Sequence, residues 1–456
     1  MAKAFMGIQL RRLREERGLT QAALARALQI SASYLNQIER NARPLTVPLM
    51  LRLNDLFGLS VEPLSVGDEA RLITDLRAAL ADRGHDAPLA ELRELATHMP
   101  DIARSIVEMQ RALRSAEERA ALGDEAFGQS DATAFEAVRD WFYDRRNHVA
   151  ELDHAAEQIG AALPKGRMTA GLIDRLAGRH GVRIARGADD GPLRRYDSDA
   201  GILYLSPHLG QSQQAFQIAT QLAFLEQGAL IGRLSGDPAM TAGAQSLLRI
   251  GLANYFAGSL ILPYQDFLQT AEAMDYDIDL IANHFGIGFE TTCHRLSTLQ
   301  RPGAEGVPFF FIRVDRAGNI SKRQSAIDFH FSRIGGSCPL WNVYEAFSRP
   351  GQVLRQIAQM PDGRSYLLIA RTVSHGQGGF RAPTKTFAVA LGCDLTHAPR
   401  LVYARGLDLR SPAQAVPIGP GCKLCERTSC PQRAFPRVGR PLASDPAVAR
   451  FAPYSS

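Results

Sequence analysis

The sequence predicts a multidomain α+β protein, all-α at its N-terminus and built on a β-sheet towards its C-terminus. Three observations point there. The 456 residues suffice for about three domains. The first 160 residues repeat apolar side chains at spacings of three and four, as helices require. From residue 305 onward, runs such as Pro308-Phe309-Phe310-Phe311-Ile312-Arg313-Val314 and Ser365-Tyr366-Leu367-Leu368-Ile369-Ala370-Arg371 read as strands. A composition of 45% hydrophobic and 22% charged residues excludes disordered, collagen-like and coiled-coil classes for the bulk.

Along the chain, Leu10, Leu13 and Arg14 belong to a first helix that Gly18 stops. Thr20 caps a second helix with Leu24, Ala25 and Leu28 on its apolar face. Gln29-Ile30 turns the chain, and Ser31 caps a third helix holding Tyr34, Leu35, Ile38 and Glu39. A helix from Pro48 to Phe57 closes this core. Short capped helices joined by a tight turn make residues 6–62 a helix-turn-helix. Residues 63–149 read as a helical connector that could also dimerise. They carry Leu72, Leu76, Leu80, Leu89, Leu92 and Leu95, a break from Gly123 to Asp131, and Trp141, Phe142 and Tyr143 where packing resumes. Residues 150–295 hold a helix and strand around Ile173 to Ile184, and a hairpin through Arg194-Arg195-Tyr196 and Gly201 to Leu205. Helices follow near 211–230, 240–262 and 264–284. Residues 300–437 form the sheet-based domain, with a further strand over 385–391. The Pro-rich stretch 438–456 reads as a flexible tail.

Lys and Arg total 52 against 47 Asp and Glu, so the net charge is only +5. Its distribution says more. Residues 1–45 hold eight bases and three acids, residues 61–160 eleven and twenty-one, and residues 291–440 twenty-one and eight. Both ends suit polyanions, and the acidic middle does not. Residues 1–10 lack the apolar segment of a secretory signal. The apolar stretch 251–262, interrupted by Asn254 and Ser259, is shorter than the ~20 residues a bilayer requires. A cytoplasmic protein without a membrane partner is expected. Six cysteines are too sparse for a disulfide framework, and three of them cluster at 422, 425 and 430.

A helix-turn-helix sets one helix in the major groove of double-stranded DNA. Ser31, Ser33, Tyr34, Asn36 and Gln37, near the start of the third helix, are the expected groove-facing residues; Asn and Gln can pair with adenine edges. Gln21, Arg14 and Arg43 are expected at phosphates. Residues 6–62 resemble the Cro/cI-type (XRE) family in Arg14-Glu15-Glu16-Arg17-Gly18-Leu19-Thr20-Gln21, Leu24-Ala25, Ile30-Ser31 and Ile38-Glu39-Arg40.

The segment Phe216 to Phe224, followed by Ala253-Asn254-Tyr255-Phe256-Ala257, resembles the ImmA/IrrE metallopeptidase-like family. There, a His-Glu-x-x-His helix binds zinc and its Glu activates water. Here Thr220, Gln221 and Phe224 stand at those positions, and Ile250, Gly251 and Leu252 stand where a carboxylate is usual. The fold is therefore expected without its zinc ligands. His208, His284 and His294 lack ligand spacing.

Cys422, Cys425 and Cys430 form a Cys-x2-Cys-x4-Cys run that can converge on one metal, structural zinc or an iron–sulfur cluster, each wanting a fourth ligand. Cys393 leads; Cys338, His375 and His397 are the alternatives. Cys293 reads as a buried thiol. Arg313, Arg333, Arg349, Arg371, Arg381, Lys385 and Arg400 lie among Phe309, Phe331, Trp341 and Phe387, a surface suited to DNA or to an anionic ligand with an adenine and phosphates. Gly376-Gln377-Gly378-Gly379 lacks a P-loop lysine.

The order of these parts is similar, over residues 6–437, to short-chain acyl-CoA-responsive transcriptional regulators of propionate and acetate assimilation. The words Leu391-Gly392-Cys393-Asp394, Leu401-Val402-Tyr403-Ala404 and Gly421-Cys422-Lys423-Leu424-Cys425 carry the likeness. The resemblance implies an operator-binding homodimer or higher oligomer and an acyl-CoA effector. In some members it implies an iron–sulfur cluster, 4Fe-4S in type, on these cysteines. It defines no acyl-CoA-binding residues. Two other readings compete. One is a zinc peptidase that cleaves a repressor, which positions 220, 221 and 224 oppose. The other is a phage- or antitoxin-type repressor binding a protein partner, which the large C-terminal domain opposes.

Overall fold

The computed structural model describes residues 10–11, 14–15, 17–40, 43, 49, 52–53, 66–81, 87–121, 131–164, 166–189, 191–327, 329, 338–376, 384–422, 425–436, 447 and 451. The chain divides into two compact units, residues 1–116 and 117–456.

In the first unit, α1 (Gln21–Ala27) and α2 (Ala32–Glu39) form where expected. Hydroxyl caps start both: Thr20 Oγ1 accepts from Ala23 N at 3.2 Å and Ser31 Oγ from Tyr34 N at 3.0 Å. Gln29 turns the chain between them with a left-handed φ of 55°. Leu24, Leu28, Leu35 and Ile38 meet Leu10, Leu49 and Leu53 in a shared core. Of the helix expected over Pro48 to Phe57, only residues 49 and 52–53 are described. Helices α3 (Val66–Ala81), α4 (Leu89–His98) and α5 (Pro100–Ala121) follow. Their core is Leu72, Ile73, Leu76, Leu92, Ala96, Ala103 and Val107. The expected break at 123–131 and the expected tail lie outside the described residues, apart from positions 131, 447 and 451.

The second unit begins with α6 (Asp131–Asp144), α7 (Ala150–Ala161) and α8 (Met168–His180). Trp141 and Phe142 are buried in the same core as Leu152, Leu222 and Phe256, so the end of the expected connector packs as part of the larger unit. Strands β1 (Arg183–Arg186), β2 (Arg194–Asp197) and β3 (Ile202–Leu205) make a small sheet of order β1-β3-β2. The expected hairpin is its antiparallel β2–β3 pair. Helices α9 (Gln211–Glu226), α10 (Gly228–Ser235) and α11 (Ala242–Ile261) cover it. The single helix expected over 264–284 is two, α12 (Tyr264–Ala273) and α13 (Ile278–Phe285). Asp275 and Tyr276 break it with left-handed φ values of 48° and 58°, and the Asp277 carboxylate recaps the chain on Asp279 N and Leu280 N. Helix α14 (Phe289–Leu296) leads into the short β4–β5 pair (Gln300–Arg301 and Ala304–Glu305).

The C-terminal sheet has six strands, β6 (Phe310–Val314), β7 (Ile320–Ser325), β8 (Leu354–Gln359), β9 (Ser365–Gly376), β10 (Thr384–Asp394) and β11 (Val416–Pro417). Their order is β11-β8-β9-β10-β6-β7. Alternation sorts the side chains cleanly. Phe311, Leu367, Ile369, Val389, Leu391 and Cys393 pack with Phe267, Ile281 and Leu296 on one face. Phe310, Ile312, Leu368, Ala388 and Ala390 pack with Cys338, Trp341 and Ile418 on the other. Strands β7, β8 and β11 are additions to the sequence reading.

Two halves of the large unit are joined by buried charge. Asp153 of α7, 1% exposed, accepts from Arg295 Nη2 of α14 at 3.0 Å and from the Tyr255 hydroxyl of α11 at 3.0 Å. Its other neighbour is His148 Nε2, 3.1 Å away.

Candidate functional site

The exposed side of α2 carries Ser31, Ser33 and Gln37. Ser33 and Gln37 are four residues apart and therefore share a helix face. Tyr34 and Asn36 are half-buried. The Arg43 guanidinium lies 5.6 Å from the Tyr34 ring, which places a cation beside the helix start. This arrangement offers hydroxyl and amide groups to base edges and a flanking cation to phosphate.

Arg14 does something else. Its Nε and Nη2 donate to the buried Glu39 carboxylate at 2.7 and 3.2 Å, and Nη1 donates to Leu19 O. The hydrogen bond to Glu39 raises the Arg14 pKa further. The phosphate contact expected for Arg14 gives way to a structural ion pair. Gln21 is drawn into the same network, its Nε2 donating to Glu39 Oε2 at 2.9 Å and to Asn36 Oδ1 at 3.4 Å. Sequence reasoning missed Glu39 as the organiser. The available signal was a carboxylate next to Ile38 on an inward-facing stripe.

At the peptidase-like helix α9, Thr220 and Gln221 are buried and Phe224 is half-buried. Thr220 Oγ1 donates to Phe216 O at 2.8 Å. The Arg194 guanidinium of β2 donates to Gln221 Oε1 at 2.9 Å and lies 5.4 Å from the Phe224 ring. Burial pushes the Arg194 pKa down. The centre is thus held by neutral groups and one cation. His208 reaches the Asp189 carbonyl, His284 packs edge-on against Phe285, and the half-buried His294 packs edge-on against Phe311.

The structure does not bring Cys393 to the other three cysteines. Cys393 is buried among Leu367, Leu391 and Leu401 on one face of the sheet, and burial pushes its thiol far up. Cys338 lies in the core of the opposite face. There burial raises the Cys338 pKa, and the neighbouring Cys425 and Cys430 add to the rise. A Cβ at Gly419 would stand 2.6 Å from Cys425 Sγ, so glycine makes room for that sulfur. Arg433, 5% exposed, donates to the carbonyls of Cys422 and Cys425 at 2.9 and 3.1 Å and pins the loop. Cys422 Sγ accepts from Ala434 N at 3.4 Å. Among the described residues, no three His, Cys, Asp or Glu side chains are grouped to hold a metal ion. His375 stands 3.8 Å from Glu290, and His397 is half-buried beside Arg400.

The expected basic surface is mostly spoken for. Arg313 donates to Glu290 at 2.8 Å and Arg371 to Asp279 at 2.6 Å; Arg349 pairs with Glu345, and Arg400 with Glu272. Lys322 is half-buried, and desolvation with the nearby Arg313 lowers its pKa to about 8. Lys385 is exposed. Arg333, Arg381 and residues 377–379 lie outside the described residues.

Comparison with known proteins adds a decisive observation. The chain is 47% identical over 468 residues to the HTH-type transcriptional regulator PrpR of Mycobacterium tuberculosis, covering 100% of this chain and 96% of that one. Residues 298–454 match the C-terminal domain of the short-chain fatty acyl coenzyme A regulators. The chain belongs to this regulator family. A second member, the propionyl-CoA carboxylase regulator of Cereibacter sphaeroides, is 43% identical over 459 residues, covering 99% of this chain and 98% of that one. The family layout maps onto the structure. A helix-turn-helix domain matches residues 6–65, which hold α1 and α2. An IrrE N-terminal-like domain matches residues 177–297, which hold β1 to β3 and α9 to α14. A solved Mycobacterium tuberculosis transcriptional regulator superposes with a TM-score of 0.68 at 51% identity, covering 71% of this chain and 99% of that one. Among the described residues, no helix is long and apolar enough to cross a membrane.

Proposed function

We propose that this regulator reads an operator in double-stranded DNA through Ser31, Ser33, Tyr34, Asn36 and Gln37. Gln21 and Arg43 flank them, and occupancy changes when a short-chain acyl-CoA binds the C-terminal region. Residues 6–62 bind DNA, 63–149 connect, 150–295 keep a peptidase fold without its catalytic motif, and 300–437 sense the effector. The observation that carries this reading is the capped helix α2 with Ser33 and Gln37 exposed, on a chain matching an HTH-type regulator along its whole length. The acyl-CoA is propionyl-CoA or a close relative, supported by the family match and the name of the Cereibacter member. No enzymatic role is assigned: Thr220 and Phe224 stand where zinc-binding imidazoles would be needed.

An effector shifts a regulator only if it binds the DNA-competent and DNA-incompetent states unequally. The test is anisotropy with promoter DNA at fixed salt, with and without propionyl-CoA, alongside a thermal-shift panel of acyl-CoAs. A specific complex whose affinity changes with propionyl-CoA, and a raised melting temperature with that ligand, are expected. Specific binding that no acyl-CoA alters would overturn the sensing half.

For the cysteine loop we infer a metal centre on Cys422, Cys425 and Cys430, with Cys338 replacing Cys393 as the fourth ligand. The neighbourhood of Cys338 to Gly419 and to Cys425, the space at Gly419 and the Arg433 anchor support it. An iron–sulfur cluster there would supply redox sensitivity, whereas zinc would only hold the loop. Anaerobic purification followed by iron, sulfide and zinc per chain decides between them. Cys338→Ser should lower metal content, and Cys393→Ser should leave it intact. Metal-free wild-type protein, or equal loss in both variants, sinks the assignment.

A further inference from the structure

Basic residues in this chain are almost all arginine: of 52, only five are lysine, at positions 3, 165, 322, 385 and 423. Lys322 stands where arginine is otherwise the rule. It ends a cross-strand row on one face of the C-terminal sheet, Arg371, Val389, Arg313 and Lys322. Arg371 donates to Asp279 at 2.6 Å, and Arg313 to Glu290 at 2.8 Å. The other Glu290 oxygen faces His375 at 3.8 Å. Each arginine of the row thus has its carboxylate. Among the described residues no hydrogen bond or ion pair engages Lys322 Nζ. A β-bulge shapes the place. Arg313 pairs with Lys322 and Val314 with Ile320, which leaves Ser321 as the extra residue. The Ser321 hydroxyl accepts from Arg313 Nε at 2.9 Å and holds the guanidinium that bonds Glu290.

Lys322 Nζ lies 6.0 Å from the centre of the Phe311 ring, and the His294 ring meets the same ring edge-on at 5.8 Å. Burial, then the charges of Lys322, Arg295 and Arg313, hold His294 well below its usual pKa, so this imidazole is neutral. The amine therefore faces an aromatic ring, a neutral imidazole and a guanidinium whose carboxylate is already taken. Such surroundings favour its uncharged form, and desolvation with Arg313 brings it to about 8. An arginine could not give up its proton here, whereas a lysine can. Strand β7 is an edge of the sheet and Lys322 is half-buried, so reagents in solution reach it. We propose that Lys322 is a covalent acylation site, whose Nζ takes an acyl group directly from a short-chain acyl-CoA. The free amine attacks the thioester carbonyl. An N–C bond forms, the C–S bond breaks, and the proton leaving the nitrogen ends on the departing thiolate. The products are an amide and the free CoA thiol, and no oxidant or reductant is consumed. The titrating amine becomes a neutral amide with an alkyl chain beside Phe311. The proposal rests on the reading that this chain meets short-chain acyl-CoA.

Incubation of the full chain with propionyl-CoA at pH 8, followed by peptide mapping in a mass spectrometer, tests it. The exposed Lys385 is the internal control. At that pH an ordinary lysine is under ~1% free amine, and one that titrates near 8 is about half free. A less basic amine is a weaker nucleophile, which offsets part of this gain. The propionyl adduct should therefore grow at Lys322 about tenfold faster than at Lys385. The preference should vanish in denaturing urea, where both side chains are solvated alike. Lys322→Arg should lose the fast adduct from the intact mass, and Lys385→Arg should keep it. No adduct at Lys322, growth no faster than at Lys385, or the same preference in urea overturns the proposal. Thermal shift of Lys322→Arg with propionyl-CoA reports reversible binding separately, because this variant cannot be acylated at 322. A thermal shift there without a wild-type adduct defeats acylation alone. A wild-type adduct without that shift upholds acylation and defeats reversible sensing.

Discussion

At Glu39, a carboxylate with 6% exposure accepts from both Arg14 and Gln21. Removing one partner of such a pair strands the other charge in a poorly hydrated place. Glu39→Ala should lower the stability of the DNA-binding unit by about 3 kcal/mol, read by thermal unfolding of the full chain as early loss of that transition. Gln37 is two residues away and exposed. Gln37→Ala should leave melting unchanged and weaken operator binding by ~1–3 kcal/mol for each base pair it reads, measured by anisotropy at constant salt. Unchanged operator affinity would show that α2 is not the reading helix. Exposure at 33 and 37 follows from helix periodicity and was legible. The pairing of Arg14 with Glu39 was not, because a separation of 25 residues is closed only by the fold.

Capping chemistry made the starts of α1 and α2 readable, since Thr20 and Ser31 each satisfy an otherwise unpaired backbone N–H. The break between α12 and α13 was not readable, because Tyr276 is not a residue that announces a left-handed turn and a lone Asp275 is weak notice of one. Tertiary partners hold it there: Val402 N donates to Asp275 O at 2.8 Å, and Tyr276, 1% exposed, donates to Glu272. Strands β7 and β8 escaped notice because they carry polar side chains such as Ser321, Lys322, Arg355 and Gln356. In β10, glycine is required by neighbours rather than by conformation. A Cβ at Gly392 would fall 2.3 Å from Phe310 Cζ and 2.9 Å from Leu368 Cδ2. Phe310 in turn stacks on Phe329 at 3.9 Å. Gly392→Ala should destabilise the sheet by about 1–3 kcal/mol, seen as a lower melting temperature of the large unit.

Across the large unit, the Asp153–Arg295 pair couples α7 to α14. Burial would raise the Asp153 carboxyl, but Arg295 and then His148 hold it well below the usual carboxylate range. A carboxylate with a depressed folded pKa contributes stability that is present above its unfolded value, near pH 4, and lost as pH falls below that. Melting temperature should therefore fall increasingly steeply as pH drops below about 4. The drop should be shallower in Asp153→Asn, whose melting temperature is already lower at neutral pH. Parallel curves for the two proteins would show that Asp153 does not carry the acid sensitivity.

By itself the sequence determined the order of parts. Helical spacing, hydroxyl caps, strand alternation and the Thr220-Gln221-Phe224 substitution are local facts, and local chemistry writes them into short words. Tertiary structure decided what those words meet. It put Cys393 and Cys338 on opposite faces of one sheet, tied Arg14 to Glu39, and tied α7 to α14 through Asp153 and Arg295. Side chains far apart in the chain become neighbours only when burial of apolar surface forces the elements together, and no spacing along the sequence records which ones will meet.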